Sequence, residues 1–113
     1  KASAYNLVVF WDGIDKLEVL NARLNALKQN QDDFEVIGFS LNTDKNQWKK
    51  NLDQLQFPWT NVSSDLLSKQ HIINQFRIQA LPHLILLDAN ATIIKINPSF
   101  ERLKTVLQGS ESN

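Results

Sequence analysis

Between Asn6 and Leu41 the chain reads strand, helix, strand, and this order constrains the fold more than any other feature. Asn6–Trp11 is a short run of β-branched and aromatic residues, the pattern of a buried strand. Leu17, Leu20, Leu24 and Leu27 then recur at three- and four-residue spacing, with Arg23, Asn25 and Lys28 on the opposite face of the implied helix. Asp15 suits the N-cap of that helix, and Glu18 three residues later completes a capping-box-like pair. After a polar turn at Asn30–Asp33, Phe34–Leu41 forms a second strand. Two strands joined through a helix within one sheet imply a right-handed parallel crossover.

The rest of the chain completes an α/β pattern. Thr43 or Asp44 caps a helix running to about Leu55, with Trp48, Leu52 and Leu55 on one face, and Phe57-Pro58-Trp59 breaks it. A short helix over Leu66–Gln75 leads to a third strand at Leu84–Leu87. The turn Asp88-Ala89-Asn90-Ala91 returns the chain as a fourth strand, Thr92–Ile96, making an antiparallel hairpin. Asn97-Pro98 opens the last helix with proline at its first position, and Leu103, Val106 and Leu107 form its apolar side. The expected architecture is a three-layer α/β domain with a four-stranded mixed sheet in order 2-1-3-4 and helices on both faces. Its core is expected to include Val8, Phe10, Leu20, Leu24, Ile37, Phe39, Leu84, Leu86, Ile94 and Leu107.

Length and charge set further limits. The chain has 113 residues, which fits a single domain over 1–113 able to bury roughly two-thirds of its unfolded surface. Residues 1–5 and 109–113 are expected to fray. Twelve basic residues balance twelve acidic ones, so nothing in the charge favours nucleic acid or anionic lipid as a partner. No apolar stretch approaches the ~20 residues a membrane span needs, and there is no signal-peptide pattern. Starting at Lys1 and lacking methionine, the chain is expected to be a piece of a longer protein.

There is no cysteine. Thiol–disulfide exchange requires a thiolate as the attacking species, so that chemistry is excluded. The absence matters because of what the chain otherwise resembles. Four segments carry the resemblance: Val8-Val9-Phe10-Trp11 before the turn Asp12-Gly13-Ile14; Val36-Ile37-Gly38-Phe39-Ser40-Leu41-Asn42 followed by Trp48-Lys49-Lys50; Phe76-Arg77-Ile78-Gln79-Ala80-Leu81-Pro82; and Leu84–Ile94. Together they resemble the thioredoxin-like superfamily, and within it the TlpA-like, AhpC/TSA-related branch of extracytoplasmic thiol–disulfide oxidoreductases. Under that resemblance Asp15 and Glu18 stand where the family carries its Cys-x-x-Cys motif, and Pro82 corresponds to a cis-proline beside that motif. The family also has a further N-terminal segment ahead of the first strand, which this sequence lacks.

Each candidate site residue also has a plainer role. Asp15 and Glu18 form an acid–base pair only if one of them has a raised pKa, whereas a helix N-terminus favours carboxylates in their charged form, as caps. His83, next to Pro82, makes a metal site with these two carboxylates conceivable, but a strand-starting histidine that points to solvent or accepts a backbone bond explains it more simply. His71 lies in the polar stretch Ser68-Lys69-Gln70-His71 and reads as a surface residue. Trp48 and Trp59 read as packing residues. Asn61-Val62-Ser63 fits the N-x-S acceptor triplet, a pattern too common by chance to carry weight. With three glycines and no Gly-rich loop, a nucleotide site is not expected.

The resemblance implies a redox-inactive, thioredoxin-like domain that serves as a protein-interaction or structural module, with no metal and no cofactor. It also implies a periplasmic or other extracytoplasmic location in a bacterial protein. The implied partner is a protein or peptide lying across a groove formed by Trp11, Gly13, Ile14, Leu81, Pro82 and His83. Nucleic-acid binding and membrane insertion by this segment are not expected. The alternative is an enzyme using non-thiol chemistry at the Asp15, Glu18 and His83 corner.

Overall fold

The computed structural model describes residues 4–12, 17–30, 34–41, 44–55, 59–63 and 66–107. Among them the elements run β1 (Tyr5–Trp11), α1 (Leu17–Asn30), β2 (Phe34–Ser40), α2 (Lys45–Leu55), β3 (Thr60–Ser63), α3 (Leu66–Phe76), β4 (His83–Asp88), β5 (Ile93–Ile96) and α4 (Phe100–Leu107). The sheet has five strands in the order β3-β2-β1-β4-β5. β1 and β3 run parallel to β2, while β4 runs antiparallel to both β1 and β5.

The four-stranded expectation is therefore corrected. Its 2-1-3-4 order survives as β2-β1-β4-β5, and β3 adds an outer strand against β2, pairing Ile37 with Thr60 through Ser40 with Ser63. Thr60-Asn61-Val62-Ser63 holds one large apolar residue, and Val62 is exposed. A strand this short and polar gives almost no period-2 signal, because at a sheet edge it buries little.

Strand alternation divides the core. Leu7, Val9 and Trp11 of β1, Phe34 and Val36 of β2 and Leu86 of β4 form one cluster with Leu17, Leu24 and Leu27 of α1 and Leu103 and Leu107 of α4. Trp48 and Leu52 of α2 and Trp59 pack against the same cluster. On the other face, Phe10, Leu41 and Ile85 form a smaller cluster with Val8, Phe39 and Leu87, against which Ile72, Ile73 and Phe76 of α3 pack. Helices α1, α2 and α4 thus cover one face, and α3 lies on the other.

Of the expected core, Phe10, Leu24, Leu86 and Leu107 are buried, and Val8, Leu20, Ile37, Phe39 and Leu84 are half-buried. Ile94 is not a core residue; it is 41% exposed. Leu86 pairs with Lys95 and Leu87 with Ile93, so Ile94 is the extra residue of a bulge with no partner on β4.

Two helix starts follow their caps. Asp44 Oδ1 accepts the backbone N–H of Asn46 and Gln47 at 3.0 and 3.2 Å and caps α2, while Thr43 lies outside the described residues. The last helix starts later than expected. Ser99 is its cap, with Oγ accepting the Arg102 N–H at 3.1 Å, and Pro98 lies before the helix rather than at its first position. A hydroxyl that satisfies a backbone donor in the first turn, the Arg102 N–H, outranks proline as the start signal here.

Candidate functional site

The C-terminal end of β1 and the start of β4 lie side by side, with Phe10 opposite His83 in the antiparallel ladder. The Leu81–Pro82 peptide bond just ahead of β4 is cis. Gly13, Ile14 and Asp15, which follow β1 in the sequence, lie outside the described residues.

The described site residues fall into two groups. Leu81 and Pro82 are half-buried and form part of the surface beside β4. Trp11 and His83 are not surface residues: Trp11 is 1% exposed and His83 4%. The expectation that Trp11 offers its ring at the rim of a groove is corrected. Alternation along β1 places Trp11 with Leu7 and Val9 on the face covered by α1, where it packs into the larger cluster. Its carbonyl accepts the Leu41 N–H at 2.7 Å, which fastens the end of β1 to the end of β2.

The hydrogen bonds of Asn97 define the state of His83. Asn97 Oδ1 accepts the Leu84 N–H at 2.8 Å, so its amide nitrogen is the atom that lies 3.2 Å from His83 Nδ1. Nδ1 must then accept, which places the proton of the neutral ring on Nε2. Nε2 is buried with no hydrogen-bond partner among the described residues, and the Phe10 ring lies 6.1 Å from the imidazole, centroid to centroid. Burial favours the neutral imidazole and lowers the His83 pKa from its ordinary value of 6.5. Between that lowered value and 6.5 the unfolded chain binds more protons than the folded one. Stability is therefore expected to rise with pH through this window, level off above it, and fall as the solution is acidified. Urea midpoints measured from pH 5 to 8 test this. A His83→Gln variant should flatten the slope, and an unchanged slope would assign it to other groups.

The acid–base corner does not come together among the described residues. Glu18 is exposed in the first turn of α1 while His83 is sealed beneath the start of β4, and Asp15 lies outside the described residues. Among the described residues no group of three histidine, aspartate or glutamate side chains could hold a metal ion. His71 is exposed on α3.

Two clefts escaped the sequence reading. One, of about 240 Å3, lies between α1 and α4 beside the proline, walled by Val19, Leu20, Arg23, Pro82, Phe100 and Leu103. Its signal was faint: Val19 is apolar but out of phase with Leu17, Leu20, Leu24 and Leu27, and it is 60% exposed. The other, of about 360 Å3, is an almost wholly apolar trough between the sheet and α3, lined by Val8, Phe10, Phe39, Ile72, Phe76 and Ile93.

Comparison with known proteins places this geometry. A family model described as thioredoxin-like matches residues 4–93. No curated protein sequence matches significantly. Among solved structures, the chain is similar to the thioredoxin domain of a thiol-disulfide oxidoreductase from Bacteroides vulgatus, at 20% identity and TM-score 0.84 over 96% of this chain and 80% of that one. It is also similar to a thiol-disulfide oxidoreductase from Bacteroides fragilis, at 26% identity and TM-score 0.78 over 95% and 81%. A domain of a possible thiol-disulfide isomerase from Cytophaga hutchinsonii aligns at 21% identity and TM-score 0.78 over 98% and 78%. With the family match covering most of its length, the chain belongs to the thioredoxin-like family, as a member without cysteine.

Proposed function

We propose that this chain is a redox-inactive thioredoxin-like domain that serves as a protein-interaction or structural module. One observation carries the reading: the described elements β1 to α4 build a thioredoxin-like sheet with helices on both faces, yet the chain has no sulfur with which to attack or resolve a disulfide. What survives such a loss is the surface around the former reaction centre. The proposed partner is a polypeptide in extended form lying along Leu81–Pro82, with Trp11 and His83 supporting that surface from beneath; Gly13 and Ile14, expected in the same groove, lie outside the described residues. Similarity to thiol-disulfide oxidoreductases of Bacteroides supports a bacterial setting, and an extracytoplasmic location is part of the proposal. No described helix is long and apolar enough to cross a membrane.

The direct test is reduction of insulin by dithiothreitol in the presence of the purified chain. The expected rate of precipitation equals the background without protein. Turnover above background, proportional to chain concentration, would contradict the proposal, because it would require a reactive group other than a thiol.

A further inference from the structure

The cleft between α1 and α4 shares Pro82 with the proposed groove, so the two surfaces are continuous. Its floor is apolar: Leu103 is 1% exposed, and Leu20 and Leu84 are half-buried. On its rim Val19 is 60% exposed, far more than its apolar side chain needs for packing. Arg23 completes the rim. Its guanidinium carbon lies 5.5 Å from the centroid of the Phe100 ring, a cation–π geometry that holds the charge over the opening. Among the described residues no carboxylate pairs with Arg23.

The size and charge of the cleft select its occupant. At about 240 Å3 it is smaller than the ~300–1,000 Å3 typical of small-molecule and cofactor pockets, and it suits one apolar side chain. A single guanidinium beside an apolar floor, in a chain of zero net charge, matches neither the phosphates of a nucleic acid nor an anionic lipid surface. An extended peptide turns alternate side chains to one side, about 7 Å apart. A peptide that places an apolar residue in the cleft therefore brings its second neighbour to the rim, where a carboxylate can meet the guanidinium fork.

We infer that this cleft is a specificity pocket that reads an apolar residue and an acidic residue two positions apart in an extended partner peptide. The inference rests on the groove reading above and adds the chemistry that the partner must present.

The test uses the full 113-residue chain, labelled with nitrogen-15, and three blocked pentapeptides. The first is acetyl-Ser-Leu-Ser-Glu-Ser-amide; the second has lysine in place of the glutamate, and the third has serine in place of the leucine. The first peptide should bind at least about fivefold more tightly than the other two, shifting the amides of Val19, Arg23, Leu84 and Phe100. The exposed variant Arg23→Glu should still fold, by its unchanged spectrum elsewhere, and should prefer the lysine peptide by about the same factor. Four results would overturn the inference. Equal affinity for the first two peptides removes the role of Arg23. Shifts confined to Leu81 and His83, with Val19 and Phe100 silent, leave the groove standing and remove the pocket. The same shifts produced by raising the protein concentration alone assign the cleft to a second copy of the chain. If no peptide shifts either surface at millimolar concentration, the groove reading fails together with the pocket.

Discussion

Trp11→Ala is expected to lower folding stability by about 3–5 kcal/mol, read as a large drop in urea midpoint at nearly unchanged slope. Trp11 is 1% exposed, is the bulkiest fully buried side chain, and stands on the central strand β1. Its removal leaves a void among residues already fixed by neighbouring strands, where little collapse can occur. A domain of this size has about 5–15 kcal/mol of stability in total, so the variant approaches the limit of folding at ordinary temperature. This bears on how binding is studied. Loss of partner capture by Trp11→Ala would report an unfolded chain, whereas changes at exposed Arg23 or Val19 probe the surface itself. A loss under 1 kcal/mol would show that the indole is less tightly held than its burial implies.

Phe34→Ala is expected to lose a similar ~3–5 kcal/mol. Phe34 is fully buried at the start of β2, and Lys28 near the end of α1 reaches over it. The ammonium lies 5.1 Å from the centroid of the Phe34 ring and donates to the Phe34 carbonyl oxygen. It also lies 3.7 Å from a carboxylate oxygen of Glu35, whose side chain is 56% exposed. These contacts of Lys28 differ in magnitude from the burial of the ring itself. Burial of the aromatic ring dominates, and the solvated ion pair contributes at most a few tenths of a kcal/mol. Glu35→Ala should therefore change stability by no more than about 0.5 kcal/mol. Side-by-side denaturation of the two variants checks the ranking, and equal losses would contradict it.

The parts of the fold that bury apolar side chains were legible in the sequence. β1, β2, β4, α1 and the 2-1-3-4 kernel of the sheet all carry residues whose spacing matches their period. What escaped the sequence reading buries little or depends on distant partners. β3 pairs through its backbone with few apolar side chains, and the bulge that frees Ile94 arises from register against β4, which no local pattern encodes. The start of α4 was misplaced because proline and serine both signal a helix N-terminus, and only the Ser99 hydroxyl's bond to Arg102 decides between them. At the candidate site, the sequence located the junction of β1 and β4 but misjudged exposure. Whether Trp11 faces the groove or the core depends on which face of β1 carries three helices. The environment of His83 depends on Asn97, fourteen residues away in sequence. Arg23 looked like an ordinary solvated residue until Phe100 was placed beneath it.

Strand β5 carries a consequence for the chain's behaviour in crowded solution. It is the outermost strand beside β4, and its four residues, Ile93, Ile94, Lys95 and Ile96, are all exposed. An edge of isoleucines with free backbone groups is a template on which a foreign strand can grow. Two features blunt it: the bulge breaks the regular ladder at Ile94, and the ammonium of Lys95 stands in the middle of the row. An incoming strand would have to strip water from that charge or pack around it. The lone lysine thus acts as a gatekeeper on the β5 edge, where a second chain packed over the isoleucines would have to accommodate its charge.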